Sequence, residues 1–260
     1  MKTIILAAGY ATRMYPVTEN FPKPLLEIGR ISILDRLLKD IDTLDEIDHH
    51  LIVTNHKYLP HFERWLKESH YTKRITLIDD GTIDNENRLG AIKDLLLAIE
   101  AEHLDDDLLV IAADNIVTFS FRGFLDFFKA QQTSLIMTCH EPSLEALKRT
   151  GVATIDSEFQ VLEMQEKPQL PKSNLAVPPF YIYIKEDIKH ILSCIAEGCP
   201  PDAPGHLVIS MLSKTKFHAW PMPSPRIDIG TLETYYEQVN SPFEAMSADR
   251  QDRQGSRGMY

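Results

Sequence analysis

The feature that most restricts the fold of this chain is an alternation between short apolar runs and segments of helical periodicity, which covers the first half of the sequence. The apolar runs predict strands at residues 2–6, 50–54, 74–78, 108–112 and 134–139. The segments between them predict helices at residues 32–44, 61–68, 89–99 and 121–131. Such alternation is typical of βαβ units, and it therefore predicts a largely parallel sheet with helices packed on it.

Beyond Thr150 the pattern changes to short apolar runs separated by Pro, Gly and Asp. Strands are predicted at 152–155, 161–165, 180–184 and 217–220, with helices near 186–196 and 207–214. Together the two halves predict an α/β chain, a Rossmann-like three-layer α/β/α fold with a mixed, mostly parallel central sheet. We expect one domain over residues 1–240. The polar stretch 241–260 lacks apolar periodicity and is predicted to be a flexible tail.

Composition excludes several classes of function. The formal net charge of −11 argues against a nucleic-acid-binding face, which needs cationic surface to displace counterions. No apolar run approaches the twenty or so residues that a membrane helix needs, so we expect no membrane contact and a cytoplasmic location. The three cysteines are odd in number and lack metal-ligand spacing, which argues against a disulfide framework and a zinc site.

The loop after the first strand is the first candidate site, because an open α/β sheet binds its ligand where strands end. Small residues let backbone amides approach an anion closely, and two cations, Arg13 and Lys23, follow within reach of the same loop. These features predict a triphosphate site. Its expected nucleotide-binding residues are Leu6, Ala7, Ala8, Gly9, Ala11, Thr12, Arg13 and Lys23.

Two acids are candidates for one metal ion. Asp114 directly follows the apolar run 108–113, which has the composition of a buried strand. Asp228 lies shortly before the Gly-Thr pair at 230–231, and Thr231 can cap a following helix. A divalent cation offsets the charge on phosphate oxygens, and Mg²⁺ prefers one or two carboxylates plus phosphates and water. Asp114 and Asp228 are therefore candidate ligands of Mg²⁺, the predicted cofactor.

Taken together, these motifs resemble the sugar-phosphate nucleotidyltransferase family, of the glucose-1-phosphate thymidylyltransferase type. The shared string is the first strand, then Gly9, Thr-Arg, Pro16, Thr18 and the Pro-Lys-Pro run at 22–24, followed much later by Asp-x-Gly-Thr at 228–231. The chain departs at Ala11, where the family has a second glycine. The resemblance implies that Arg13 and Lys23 are catalytic, and that Asp114 and Asp228 jointly hold the catalytic Mg²⁺.

The same resemblance implies an acceptor pocket. The Glu-Lys-Pro run at 166–168 matches the family element that binds the sugar, so Glu166 is expected to contact the acceptor, Lys167 its phosphate, and Gly151 to offer close backbone. Relatives commonly have Thr-Gly where this chain has Pro178-Pro179. The predicted reaction joins an NTP to a small phosphorylated acceptor, with a sugar 1-phosphate favoured, and releases pyrophosphate.

Three questions stay open at the level of sequence. The base is not specified, although Asn87, Gly90 and Asn115 are expected to contact the nucleotide. The acceptor could instead be phosphocholine or a phosphorylated polyol, which would make the protein a cytidylyltransferase. A non-catalytic subunit that binds a nucleotide sugar is the third possibility, and a homo-oligomer is compatible with each of them.

Overall fold

The computed structural model describes residues 1–240, and the predicted tail at 241–260 lies outside them. In chain order the strands are β1 (Lys2–Leu6), β2 (Glu27–Ile28), β3 (Ile31–Ser32), β4 (His49–Thr54), β5 (Arg74–Asp79), β6 (Leu108–Ala112), β7 (Asn115–Ile116), β8 (Ser134–His140), β9 (Gly151–Ile155), β10 (Val161–Glu166), β11 (Leu175–Val177), β12 (Phe180–Tyr183), β13 (Phe217–Pro221) and β14 (Ile227–Asp228). The helices are α1 (Ile33–Ile41), α2 (Leu59–Glu68), α3 (Ala91–Ala101), α4 (Arg122–Gln131), α5 (Leu144–Leu147), α6 (Ile188–Ser193), α7 (Pro204–Met211) and α8 (Leu232–Asn240).

The main sheet has ten strands in the order β10-β9-β11-β8-β12-β6-β1-β4-β5, with β13 paired to β8. The pairs β1/β4, β1/β6, β4/β5 and β8/β13 are parallel, whereas β12 pairs antiparallel with both β6 and β8. β11 and β12 lie on the same side of β8, and Pro178-Pro179 separates them. The predicted mixed sheet is thus confirmed.

Alternation along the strands builds a core on each face of the sheet. In β1, Ile4 packs into one apolar cluster and Ile5 into the other, because successive side chains of a strand point to opposite faces. Helices α3, α6 and α7 cover the Ile4 face, and α1, α2 and α4 cover the Ile5 face. Complete burial of one such side chain stabilises the fold by about 1.5–3 kcal/mol, which favours closing both faces with helices.

Several element boundaries differ from the prediction for local reasons. Ser32 lies outside α1 and caps it, accepting a hydrogen bond from the Asp35 amide. Helix α3 begins later than predicted because Gly90 adopts a φ of 94°, which is incompatible with a right-handed helix. The two-residue strands β2, β3, β7 and β14 were not predicted, since so short a run carries no periodicity.

The strand order places a topological switch point at the centre of the sheet. Helices α1 and α2 pack on one face, whereas α3 crosses to the other face before the chain returns through β6. The crevice between the carboxyl ends of β1 and β6 is where such sheets bind ligands. Within residues 1–240, no helix combines the length and the apolar character required to cross a membrane.

Candidate active site

Two aspartates meet at this crevice through a short antiparallel ladder. β14 pairs with β7 so that Asp228 lies opposite Asn115, and the amide of Ile229 donates to the carbonyl of Asp114 at 3.0 Å. Ile229 and Ile116 are fully buried or nearly so, and they pack with Met14 from the loop after β1. A small apolar cluster therefore holds the loop after β1 against the segments that carry both acids.

The charges around the two acids are closely balanced. Nζ of Lys23 lies 2.9 Å from Oδ2 of Asp114 and 3.0 Å from the carbonyl oxygen of Ile229. Burial is the largest single influence and would raise the pKa of Asp114, but the charge and hydrogen bond of Lys23, joined by the charge of Arg226, together lower it. Partial desolvation and the Asp114 charge raise the pKa of Asp228, against the opposing charges of Arg226, Lys23 and Arg13. Like charges held this close favour binding of a cation between them.

Asn115 and Arg226 extend this network away from Lys23. The side-chain Nδ2 of Asn115 donates to Oδ1 of Asp114 at 2.6 Å, and the side-chain Oδ1 of Asn115 accepts from Nη1 of Arg226. The same Nη1 lies 3.6 Å from Oδ2 of Asp228. Asn115 is 1% exposed, and its side-chain amide links these charged groups. Its contact with a nucleotide stays a prediction. Arg226 carried no sequence signal, because only the β7/β14 pairing brings it here.

The loop after β1 has the shape expected for an anion site. Ala7 and Ala8 are buried and Gly9 is exposed, with nothing within 4 Å of a Cβ placed on Gly9. Ala11, the position at which the resemblance implies glycine, adopts a left-handed φ of 47°, and its carbonyl accepts from the Thr18 hydroxyl at 2.8 Å. Leu6 ends β1, while Thr12 and Arg13 are exposed at its open side. The structure thus brings these predicted residues together.

Glu166 lies at the other end of the crevice, where β10 ends. Its Oε2 is only 1.9 Å from the position of a Cβ built on Gly205 and 3.4 Å from one built on Gly151. A side chain at position 205 would therefore overlap the Glu166 carboxylate, whereas 3.4 Å is an ordinary contact; at Gly151 a Cβ would instead lie 2.8 Å from Cε of Met164. Gly205 was not recognised in the sequence. Lys167 adopts a left-handed φ of 47°, and its Nζ lies 4.0 Å from Oε1 of Glu166. The three predicted acceptor residues thus lie together.

The residues predicted for the base lie near the start of α3. A Cβ on Gly90 would lie 2.7 Å from the carbonyl oxygen of Pro201, so the N-terminus of α3 is packed against that loop. Asn87 is exposed, and its side-chain amide donates to the Asp84 carboxylate at 2.9 Å. The Asn87 side chain therefore stabilises the turn between residues 84 and 87 in this structure, and its contact with a nucleotide stays a prediction.

Comparison with known families decides the class of this site. Residues 2–242 match the family described as nucleotidyl transferase. The chain belongs to the nucleotidyl transferase family. The match confirms the predicted family, and the mixed, mostly parallel sheet confirms the predicted fold class.

Individual members of the nucleotidyl transferase family resemble the chain to different extents. It is 33% identical over 177 residues to the bifunctional protein GlmU of Methanococcus aeolicus, covering 67% of this chain and 38% of that protein. It is 24% identical over 258 residues to a glucose-1-phosphate adenylyltransferase of Thermosipho africanus, covering 90% and 60%. The chain thus spans from about two fifths to three fifths of these curated relatives.

A solved structure agrees with this picture. A putative glucose-1-phosphate thymidylyltransferase from Bacillus anthracis superposes with a TM-score of 0.75 at 25% identity, covering 92% of this chain and 94% of that one. Similarity over nearly the whole length of both chains means that the nucleotidyl transferase core is present here with its sheet and flanking helices.

The donor set at the paired acids fits a magnesium ion. Asp114 uses one oxygen to accept from Lys23 and the other to accept from Asn115, and a carboxylate has about four lone-pair sites. Lone pairs therefore remain available on Asp114, and the Asp228 side chain is 56% exposed. Two hard oxygen ligands with room for phosphates and water match the preference of Mg²⁺.

Proposed function

We propose that this nucleotidyl transferase moves a nucleoside monophosphate from an NTP to a small phosphorylated acceptor, with a sugar 1-phosphate as the favoured acceptor. The observation that carries the proposal is the meeting of Asp114 and Asp228 beside the anion loop, with Lys23 and Arg13 at the same place. Its products are a nucleoside diphosphate derivative of the acceptor and pyrophosphate.

In this reaction an oxygen of the acceptor's phosphate attacks the α-phosphorus, and the bond from that phosphorus to the pyrophosphate oxygen breaks. The nucleophile is already an anion at neutral pH, so no side chain has to remove a proton. Backbone amides of residues 7–11 and the guanidinium of Arg13 stabilise charge on the phosphates. Asp114 and Asp228 would hold Mg²⁺, which supplies electrostatic stabilisation of the charge that develops on the phosphate oxygens.

Lys23 has two tasks in the proposed site. Its ammonium holds Asp114 and the Ile229 carbonyl in place, and it adds a fixed positive charge close to the departing pyrophosphate. Glu166 binds hydroxyl groups of the acceptor. Lys167, whose side chain is 54% exposed, reaches the acceptor's phosphate. The two ends of the crevice are thus assigned to the two substrates.

A cytidylyltransferase acting on phosphocholine or a phosphorylated polyol is the second candidate, and Pro178-Pro179 is the observation that favours it. These prolines follow Val177, which pairs with Gly151 beside Glu166. Proline has no amide donor, so this side of the pocket offers fewer hydrogen bonds to sugar hydroxyls. Phosphocholine, whose carbons carry no hydroxyl group, would lose less there, whereas a phosphorylated polyol would meet the same shortage of donors as a sugar.

The test measures pyrophosphate release with ATP, GTP, CTP, UTP and dTTP against sugar 1-phosphates, phosphocholine and phosphorylated polyols, with Mg²⁺ and with EDTA. Asp114→Asn, Asp228→Asn and Lys23→Met should each lower turnover on the order of 10²-fold or more. Asp126→Asn, on the exposed face of α4, is the matched control and should retain activity. Turnover with no pair of substrates would indicate a non-catalytic binding subunit and refute the proposal.

A further inference from the structure

Arg226 is a cation of the crevice to which the reaction described above assigns no task. It directly precedes β14, and because side chains alternate along a strand, Arg226 and Asp228 project from the same side while Ile227 packs with the apolar cluster. Nη1 of Arg226 donates to the side chain of Asn115 and lies 3.6 Å from Oδ2 of Asp228. The guanidinium is therefore held beside the proposed metal ligands.

The side chains around the guanidinium show where it lies along the crevice. Burial raises the pKa of the Cys139 thiol in β8, and the charge and a hydrogen bond of Arg226 oppose that rise. Burial also raises the pKa of Tyr181 in β12, again against the Arg226 charge, so the guanidinium is near both side chains. β12 and β8 follow β6 on the side away from β1 and its anion loop. Arg226 therefore lies on the acceptor side of Asp114.

Tyr181 connects this position to the predicted acceptor pocket. The Glu166 charge adds to the rise in the pKa of Tyr181, so the phenol lies near Glu166 as well as near Arg226. Glu166 itself is carried by β10, which ends the sheet beyond β8. An acceptor that binds Glu166 through its hydroxyl groups has to cross β8 and β12 to bring its phosphate to the metal ligands. That path passes the Arg226 guanidinium.

The cations beside the two carboxylates fall on opposite sides of Asp114. Lys23 contacts Oδ2 of Asp114 from the NTP side, whereas Arg226 is linked to Oδ1 through Asn115. Lys167 lies further along the acceptor side, with its Nζ 4.0 Å from Oε1 of Glu166. The reaction brings two anionic phosphates together, and each of them needs compensating charge. Arg226 and Lys167 are placed to supply that charge to the acceptor.

The guanidinium has the donors that such a contact requires. Arginine carries five N–H groups in a planar fork, which matches two oxygens of one phosphate. Asn115 and the Cys139 thiol engage one N–H each, and the Arg226 side chain is 17% exposed. Donors therefore remain for a bidentate contact with an anion in the crevice.

We propose, on the basis of the function proposed above, that Arg226 binds the phosphate of the acceptor and positions its attacking oxygen toward the α-phosphorus of the NTP. The contact offsets the repulsion between the two substrates and fixes the nucleophile close to the metal ligands. Lys167 holds the same phosphate from the Glu166 side. Arg226 thereby selects acceptors that present a phosphate over acceptors that present only hydroxyl groups.

The experiment measures kcat and the acceptor KM by pyrophosphate release, with the NTP and acceptor of the panel above that the wild-type chain uses best. Calorimetry gives the Kd of the same Mg-NTP without acceptor. Arg226→Gln should raise the acceptor KM about tenfold to a hundredfold, the loss typical of hydrogen bonds to a charged group, and lower kcat, with unchanged NTP affinity. Arg226→Lys should recover part of the loss, because it keeps the charge without the planar fork.

Arg74→Gln makes the same chemical change at an exposed site in β5, at the other end of the sheet, and should keep the wild-type acceptor KM. Thermal unfolding shows whether each variant is folded, and Arg226→Lys provides the measurement if Arg226→Gln is not. Titration of Mg²⁺ separates the proposed role from simple balancing of the Asp228 charge, which would change the Mg²⁺ requirement and leave the acceptor KM alone.

An unchanged acceptor KM in the folded Arg226 variants overturns the role of Arg226 and leaves the proposed function intact. A loss of NTP affinity as large as the rise in acceptor KM overturns it as well, because the guanidinium would then serve the nucleotide. No pyrophosphate release by the wild-type chain from any pair of substrates overturns both proposals.

Discussion

Replacing Asp94 with Asn should stabilise the protein, and by more at high pH than at low pH. Burial, with the Asp80 charge second, raises the pKa of this carboxyl from 3.8 to about 7 in the folded chain. The folded state therefore holds a proton that the unfolded state releases. For that reason Asp94 costs little stability below pH 3.8, and its cost grows as pH rises until the folded group also ionises.

The size of the effect follows from the difference in pKa. Roughly 3 units at about 1.36 kcal/mol each give about 4 kcal/mol lost above the folded pKa. At pH 5.5 the same relation gives a cost of roughly 2 kcal/mol, because this pH lies about halfway between the pKa of Asp94 in the unfolded chain and its pKa in the folded chain. Asn has the shape of the carboxyl but no charge, so Asp94→Asn should raise the free energy of unfolding by about 2 kcal/mol more at pH 8 than at pH 5.5.

Urea unfolding followed by circular dichroism at the two pH values measures this quantity. Any effect of the amide on packing is the same at both pH values and cancels in the difference, which leaves the ionisation of Asp94. Asp126→Asn, at an exposed site, should show a difference near zero. An equal change in stability at pH 5.5 and pH 8 for Asp94→Asn would refute the reasoning that this carboxyl is neutral in the folded protein.

Three further predictions follow from the same geometry. Ala11→Gly should stabilise the loop by up to about 1 kcal/mol in thermal unfolding because it relieves the left-handed φ, and a loss of stability would contradict that strain. Gly205→Ala should raise KM for the acceptor about tenfold or more by displacing Glu166, while calorimetry shows unchanged NTP affinity; an unchanged KM would mean that Glu166 does not bind the acceptor. Arg226→Gln should lower kcat with little change in folding, since it removes a charge beside Asp228, and wild-type kcat in steady-state assays would exclude that role.

Most of the fold could be predicted from the sequence because its strands and helices are long enough to show periodicity. β1 and β6 have the predicted bounds, and the remaining long strands differ by one residue at an end. The loop after β1 and Asp114 were recognisable because each follows directly on such a strand. Their assembly at one edge is what a parallel sheet imposes, although their catalytic roles stay predictions.

The parts that sequence could not supply depend on contacts between distant segments. Arg226 and Asn115 are 111 positions apart and meet through strands of two residues each. Asp94 is one of three charged residues in α3, with Lys93 and Glu100, and it is the buried one because α3 packs across β1 and β4. Gly205 matters only because the Glu166 carboxylate comes against it. No local pattern carries such information.

The β7/β14 ladder positions the proposed metal ligand Asp228 separately from the main sheet. The ten-stranded sheet is complete by Pro221, whereas the second acid arrives afterwards on two residues held by Ile227, Ile229 and their apolar neighbours. The connection from β13 to β14 covers only residues 222–226, so pairing with β7 and packing against the apolar cluster determine where Asp228, the proposed second metal ligand, lies.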